Sequence, residues 1–410
     1  MKKAKFLFLS LLSGPLVFGG TADWPQFRGP AGQGHAEVDK APLRWSVSEN
    51  VAWRKELPGE AWSSPVLSDG RLYLTNAVAD GEDHSLRALC LDASDGKTLW
   101  DREIFRSDGG SAPKIHKKNS HASPTPMLDG KDLYVHFGHQ GTACLDLDGK
   151  VKWKKRIEYP PVHGCGSSAT IEGDLLLYSA DGAKEPALVA LDKRTGKIRW
   201  KTLRDADAKR KFSFCTPLVI EVEGKRQIIS PASDYVFSYD LAGKPIWKLH
   251  YPGGYSVVPR PVFENGLLYV CSGFNQPILH AIRPTGKGDV SKTHLAWETN
   301  KGTPHSSSVI VTDGLLFMAA DNGVVSCLDA KTGELHWKER VSGACSASLL
   351  LAVGRIYLTD ESGKTFVFKV GKKYELLASN DLEDRSLASI AVTEGAFFVR
   401  TQKAVWRIGK

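Results

Sequence analysis

Apolar residues along this chain gather into short runs, not long stripes. Leu72-Tyr73-Leu74, Leu175-Leu176-Leu177-Tyr178, Leu267-Leu268-Tyr269-Val270, Leu315-Leu316-Phe317-Met318 and Ala396-Phe397-Phe398-Val399 are each closed by Gly, Asp or small polar residues. Runs this short, aliphatic and aromatic and bounded by turn formers, predict strands. Between them one unit keeps returning: Leu-Asp, a Gly turn, then Trp. Its cleanest copy is Leu191-Asp192-Lys193-Arg194-Thr195-Gly196-Lys197-Ile198-Arg199-Trp200. Asp92, Asp146, Asp240 and Asp329 precede Trp100, Trp153, Trp247 and Trp337 in the same way, and Trp53 and Trp297 extend the series. A period of roughly 40 to 50 residues built from short strands predicts a β-propeller with one four-stranded blade per period.

Each period opens on a small, polar, often Pro-containing segment. Ser64-Pro65, Ser123-Pro124-Thr125-Pro126, Ser167-Ser168, Thr216-Pro217, Arg260-Pro261, Ser307-Ser308, Ala347-Ser348 and Ala388-Ser389 count out eight blades. Small residues there suit strands crowded around an axis. The expectation is an all-β, eight-bladed propeller of antiparallel blades. The eighth copy runs out after three strands, and a spare Trp strand stands at Val51-Ala52-Trp53-Arg54-Lys55-Glu56-Leu57. That strand is expected to complete the C-terminal blade and so hide both open edges. The seventh copy has Tyr374-Glu375-Leu376-Leu377 in place of the Trp strand and is expected to be the least regular. The fifth carries an insertion, Pro284 to Asp289. The repeat Asp is expected to accept hydrogen bonds from turn N–H groups, and the Gly to supply a positive φ. The repeat Trp is read as core, worth at most roughly 4–6 kcal/mol each for 150–250 Å² buried.

Residues 1–22 read as a secretory signal: Lys2, Lys3 and Lys5, an apolar run from Phe6 to Leu12 and on to Phe18, then Gly20 and Ala22 around a cleavage site. The apolar core is too short for a membrane span. Residues 23–41 then form an N-terminal arm and 42–410 the propeller. Export places the chain in the periplasm, the cell envelope or the medium of a bacterium. Three lysines of the net charge of +8 fall in the signal. The remaining excess is mild and dispersed except at Lys114–Lys118 and Arg204–Lys211, which read as solvated loops, so nucleic acid is not an expected partner. Of seven cysteines, Cys90, Cys144 and Cys327 sit two residues before a repeat Asp, as small buried fillers on separate blades. Cys165, Cys215 and Cys345 open first strands. Cys165 and Cys215 fall on neighbouring blades, which leaves a disulfide between them open.

The Ala-x-Asp-x-x-Thr-Gly-Lys-x-x-Trp pattern resembles the tryptophan-docking repeat of pyrroloquinoline quinone (PQQ)-type eight-bladed propellers. That superfamily includes quinoprotein alcohol dehydrogenases and the outer-membrane assembly factor BamB. Trp24-Pro25-Gln26-Phe27-Arg28-Gly29-Pro30, Asn119-Ser120-His121-Ala122-Ser123-Pro124-Thr125-Pro126 and Pro259-Arg260-Pro261-Val262 are similar to segments of secreted bacterial PQQ-like repeat proteins of unassigned function. The dehydrogenases would imply PQQ with calcium, an Asp base and often an adjacent-cysteine pair; this chain has no Cys-Cys pair and no haem-binding Cys-x-x-Cys-His. The BamB likeness implies a rigid disc offering loops to envelope proteins. A non-catalytic scaffold or binding protein, monomeric and without cofactor, is therefore the expected role, with a PQQ-dependent oxidoreductase as the alternative.

Aligning the first strands puts Trp62, His121, Phe214, Val258, Ser306, Ser346 and Leu387 in one slot near a channel mouth, with Cys165, His305 and Cys345 beside it. Lys118, Asn119, His121, Arg260 and His305 are expected to converge there on a polar ligand or partner. His116, His121, His163, Cys165 and His305 supply metal-binding atoms, but their spacing matches no metal signature, and no catalytic residue is assigned.

Overall fold

Turn chemistry cuts this chain into strands of two to ten residues, and the computed structural model, which describes residues 24–107 and 115–409, arranges them as eight sheets around an axis. The expected signal segment and Lys114 lie outside the described residues. Blade 1 is built from Val66–Ser68, Arg71–Asp80, Asp83–Asp92 and Thr98–Ser107, each strand antiparallel to the next. Blades 2 to 7 repeat that order. Their inner strands are Met127–Asp129, Thr170–Glu172, Leu218–Val222, Val262–Glu264, Ile310–Thr312 and Leu350–Ala352. Blade 8 takes its three inner strands from the C-terminus, Ala391–Thr393, Ala396–Arg400 and Ala404–Ile408. Its outer strand is Val51–Glu56, antiparallel to the last and in register Lys55 to Val405. The ring is closed by a strand from the front of the chain.

Between blades, the repeat docks one blade onto the next. The indole Nε1 of Trp53, Trp100, Trp153, Trp200, Trp297 and Trp337 donates to a carbonyl of the following blade, at Ala93, Leu147, Lys193, Leu241, Ala330 and Gly371, over 2.9–3.1 Å. The ring then lies on the turn glycine: a Cβ on Gly196 would stand 2.5 Å from Trp153 Cε3, and φ there is +69°. Glycine is thus needed twice over, for its φ and for the close approach. The repeat aspartates hold the same turns. Asp192 accepts from the N–H groups of Arg194 and Thr195, and Asp92, Asp146, Asp240 and Asp329 accept in the equivalent places.

Two blades depart from the rule, for visible reasons. In blade 5 the insertion removes the Asp–Gly turn, and Gly288–Asp289 instead pairs parallel with the outer strand of blade 4. Trp247, fully buried, turns its Nε1 to Gln227 Oε1, 2.9 Å away. Blade 7 is more regular than its sequence promises: Leu376–Asp381 forms a complete outer strand, with the register shift its neighbours show. What it lacks is the indole. Ala378 faces Val367 where blade 6 has Trp337 facing Cys327. The gap is filled from the N-terminal stretch by Trp45, which lies 6.5 Å from the Tyr357 ring and 5.9 Å from the Phe397 ring, between blades 7 and 8.

All seven cysteines are free and buried, so Cys165 and Cys215 are not bridged. Desolvation pushes the thiols of Cys90, Cys144, Cys165, Cys271, Cys327 and Cys345 up to about 12. The reading of 204–211 as solvated needs correction at its first residue. Arg204 is buried and forms a two-pronged ion pair with buried Asp181 at 3.0 and 3.1 Å.

Candidate functional site

The eight strand openings build the channel in layers. At one level, seven of the eight blades present a hydroxyl, and each links to its neighbour by a backbone N–H to Oγ bond. The donors Ser64, Thr125 and Ser168 reach Thr125, Ser168 and Thr216 at 2.9–3.0 Å. On the other side Arg260, Ser308, Ser348 and Ser389 reach Ser308, Ser348, Ser389 and Ser64 at 2.9–3.1 Å. The belt is interrupted only between blades 4 and 5, where Arg260 stands in place of a hydroxyl.

Two residues earlier on each strand lies a second layer facing the lumen: Trp62, Ser123, Gly166, Phe214, Val258, Ser306, Ser346 and Leu387. The expected slot therefore holds in six blades. In blade 2 it is occupied by Ser123, because the belt residue is Thr125 and the strand opening sits two residues later than the sequence alignment places it. His121 falls outside the channel. Its ring lies 4.1 Å from that of His84 and its Nδ1 is 3.2 Å from Gln140; burial, with His84 and His139 nearby, lowers its pKa to about 4. Cys165 likewise faces a separate small void with His121 and His139.

Beyond the belt, the channel is closed by residues 24–36. Trp24 exchanges backbone bonds with Leu67 of blade 1, and Pro25 accepts from Leu128 of blade 2. Gln33 clasps Phe263 of blade 5, Arg28 donates to Val309 O of blade 6 at 2.7 Å, and His35–Ala36 pairs with blade 7. Arg260 ties this arm down. Its guanidinium donates to Phe27 O, Gln26 Oε1, Thr170 Oγ1 and Pro217 O over 2.9–3.2 Å, and only 2% of the residue is exposed. Arg260 thus belongs to the floor and cannot meet Lys118, Asn119 and His305, which line the open end. The result is a blind cavity of about 400 Å³ with Phe27 at its base.

The open end is two-sided. Along blades 3 to 6 runs an unbroken arc of ring contacts: His163 to Phe212 at 5.5 Å, Phe212 to Tyr255 at 5.6 Å, Tyr255 to Phe274 at 5.7 Å and Phe274 to His305 at 5.4 Å. Arg210 lies over Tyr255 at 4.4 Å, and Phe274 is 49% exposed. Opposite, the loop carrying Lys118 reaches across to blades 6 and 7, where its Nζ lies 2.8 Å from Glu361 and 3.5 Å from Asp321. Burial opposes the charge of Lys118, but the Glu361 bond and Asp321 outweigh it and raise its pKa; burial likewise opposes the Glu361 charge, and Lys118 and Ser346 bring that carboxyl below its usual range. Asn119 Nδ2 donates to His163 O at 2.8 Å, and the His116 and His163 rings meet at 5.7 Å. Sequence reasoning missed Phe27, Phe212, Tyr255 and Phe274, which sit in loops that no repeat position marks. It also missed the belt, whose signal was the recurring Ser or Thr at each strand opening.

The superfamily raises PQQ with calcium, and the donor set argues against it. Asp321, the carboxylate in the cavity wall, already accepts from His305 N, Ser306 N, Ser306 Oγ and Lys118. Among the described residues no three His, Cys, Asp or Glu side chains gather as a ligand set. The described residues do not fit a quinone held with a metal ion.

Sequence and structure comparisons agree on the architecture. BamB of Yersinia pestis is 28% identical over 352 residues, covering 83% of this chain and 76% of that protein. A polyvinylalcohol dehydrogenase of Sphingopyxis sp. (strain 113P3) is 23% identical over 294 residues, 58% of this chain but 44% of its own. The crystal structure of BamB from Moraxella catarrhalis superposes with a TM-score of 0.62 at 13% identity, covering 88% of this chain and 97% of that one. The family model described as "Outer membrane protein assembly factor BamB" matches residues 45–163, 87–293 and 286–378. With its docked tryptophans and eight closed blades, the chain belongs to this BamB-type family of PQQ-like repeat propellers.

Proposed function

We propose that this chain is an exported, non-catalytic binding protein of the bacterial envelope that receives a ligand or partner through the open mouth of its blind channel. The observation that carries this reading is the state of the channel's charged groups. A single Lys118 ammonium bridges Asp321 and Glu361 across the mouth, which ties both carboxylates into a structural clasp and leaves neither a free acid or base. The aromatic arc on the other side offers apolar area with polar edges, a composition that suits recognition. Similarity to BamB proteins supports an envelope scaffold. Photo-crosslinking from position 274 in intact cells, with position 198 on the outer rim as comparison, tests it. A discrete envelope adduct from 274 alone is expected; equal labelling from both positions would remove the mouth from consideration. N-terminal sequencing of the exported form should begin near residue 23. The second reading, a quinone-dependent oxidoreductase, is favoured by the match to polyvinylalcohol dehydrogenase, and a purified sample with quinone absorbance would support it.

A further inference from the structure

Below its mouth the channel is not round. In an eight-bladed ring, blade 1 faces blade 5 and blade 8 faces blade 4. Trp62 and Leu387 come from adjacent blades 1 and 8, and Phe214 and Val258 from adjacent blades 4 and 5; the other four blades contribute only serine or glycine at that level. The lumen therefore has two apolar jaws facing across the axis, separated by two shallow ends. A cross-section of that shape accepts something flat, standing edge-on along the axis. Aromatic jaws favour an aromatic ring between them, since offset or edge contacts add about 0.5–1.5 kcal/mol to simple burial.

The floor asks for acceptors. Ser64, Thr125, Ser168, Thr216 and Ser389 each take a neighbour's N–H on one lone pair. Among the described residues their own O–H groups donate to no protein acceptor, although each side chain lines the cavity. Five donors aimed around a small lumen suit one compact group with several lone pairs. Beneath the belt lie two cations that, among the described residues, have no counter-charge. Arg28 and Arg260 are each 2% exposed and hydrogen-bond only to carbonyl, amide and hydroxyl oxygens, and their Nε groups have no partner. Burial lowers them to about 9 and about 10, with Arg260 adding to the effect on Arg28, so both stay charged at neutral pH. Unpaired buried charge is costly, and an anion seated on the belt directly above would offset it.

We infer that the lower channel is a binding site for a planar aromatic monocarboxylate, its ring between Trp62–Leu387 and Phe214–Val258 and its carboxylate on the hydroxyl belt. The inference rests on the channel being a ligand site and goes further by naming the ligand's class. It needs no metal, because the donors are hydroxyls. Mouth and lower channel together enclose about 400 Å³, within the range of roughly 300–1,000 Å³ that holds small ligands.

Titration calorimetry of the full mature chain with three compounds tests it: 2-naphthoate, cyclohexanecarboxylate (equally charged, not flat) and 2-naphthalenemethanol (equally flat, uncharged). Naphthoate should bind at least tenfold more tightly than either comparator. Ser389→Ala should weaken naphthoate about fivefold and leave the alcohol unchanged, and Phe214→Ala should weaken both aromatic compounds. Thr216→Val serves as a second belt variant should Ser389→Ala melt early. Equal affinity for cyclohexanecarboxylate would overturn the slot, equal affinity for the alcohol would overturn the anion floor, and no binding of any compound would overturn both. A crosslinked partner at position 274 with no naphthoate binding would sink this inference alone; quinone-dependent turnover would sink the reading beneath it.

Discussion

Trp45→Ala is the sharpest probe of how the ring is held where the repeat fails. Blade 7 brings Ala378 to the position that an indole occupies in its neighbours, and Trp45 arrives from the N-terminal stretch to fill the space, 3% exposed and flanked by Tyr357 and Phe397. Its Nε1 has no hydrogen-bond partner among the described residues, so its contribution there is packing. Removing a buried Trp side chain costs about 3–5 kcal/mol through lost burial and the cavity left behind. At about 2.1 cal/mol/K per residue over roughly 380 residues, the unfolding entropy is about 0.8 kcal/mol/K, so Tm should fall by about 4–6 °C. Trp45→Phe keeps one ring between Tyr357 and Phe397 and should lose less than half as much. Scanning calorimetry at a fixed rate and pH 7 reads both, with Val47→Ala, an exposed neighbour, as a control expected to leave Tm unchanged. A loss below about 1 °C for Trp45→Ala would mean that Trp45 does not substitute for the missing indole.

Other consequences are equally open to measurement. Gly196→Ala drives a Cβ into Trp153 and also strains a positive φ, so it should cost more than about 2 kcal/mol, whereas Gly130→Ala, with φ +57° and open space around it, should cost only about 1 kcal/mol of backbone strain. His136 is buried against Tyr178 and Thr142, and burial holds its pKa at about 3. The unfolded chain takes up a proton near pH 6.5 that the native state refuses, so stability falls with acidification from there. The slope is about 1.4 kcal/mol per pH unit, or about 2.7 kcal/mol by pH 4.5. Melting curves of the parent and His136→Gln across that range should diverge in slope, and parallel curves would refute the assignment. Arg260→Met should free residues 24–36 from blades 3 to 5 and open them to limited proteolysis while the strand at Val51–Glu56 stays protected; an unchanged cleavage pattern would show that Arg260 does not fasten the arm.

The architecture was legible because propeller physics repeats itself in the sequence. An Asp that caps a turn, a Gly that admits an indole and the Trp that docks must recur at each blade, and the orphan strand around Trp53 told how the ring closes. Trp45 was not legible, since nothing in a single Trp outside the period says which blade lacks one. The placement of the candidate residues was legible only in part. Lys118, Asn119 and His305 do reach the mouth, because strand openings lead to it. His121 went astray by two residues, a shift that the run Ser123-Pro124-Thr125-Pro126 conceals and that decides whether a side chain faces the lumen or a neighbouring blade. Arg260 was placed at the wrong end because its strand position fixes where its Cα stands, not where a long guanidinium finds oxygen atoms. The floor itself needed a contact between residues 27 and 260 that no local pattern announces.

The most direct measurement is a turnover assay on the purified mature chain, supplied with PQQ and calcium, then with PQQ and a lanthanide, against primary alcohols and polyvinyl alcohol with a redox dye as acceptor. A channel whose carboxylates are tied to Lys118 and to their own strand ends should reduce no dye above the heat-denatured control, while the same preparation binds 2-naphthoate saturably. Dye reduction that saturates with added quinone would contradict that account of the channel.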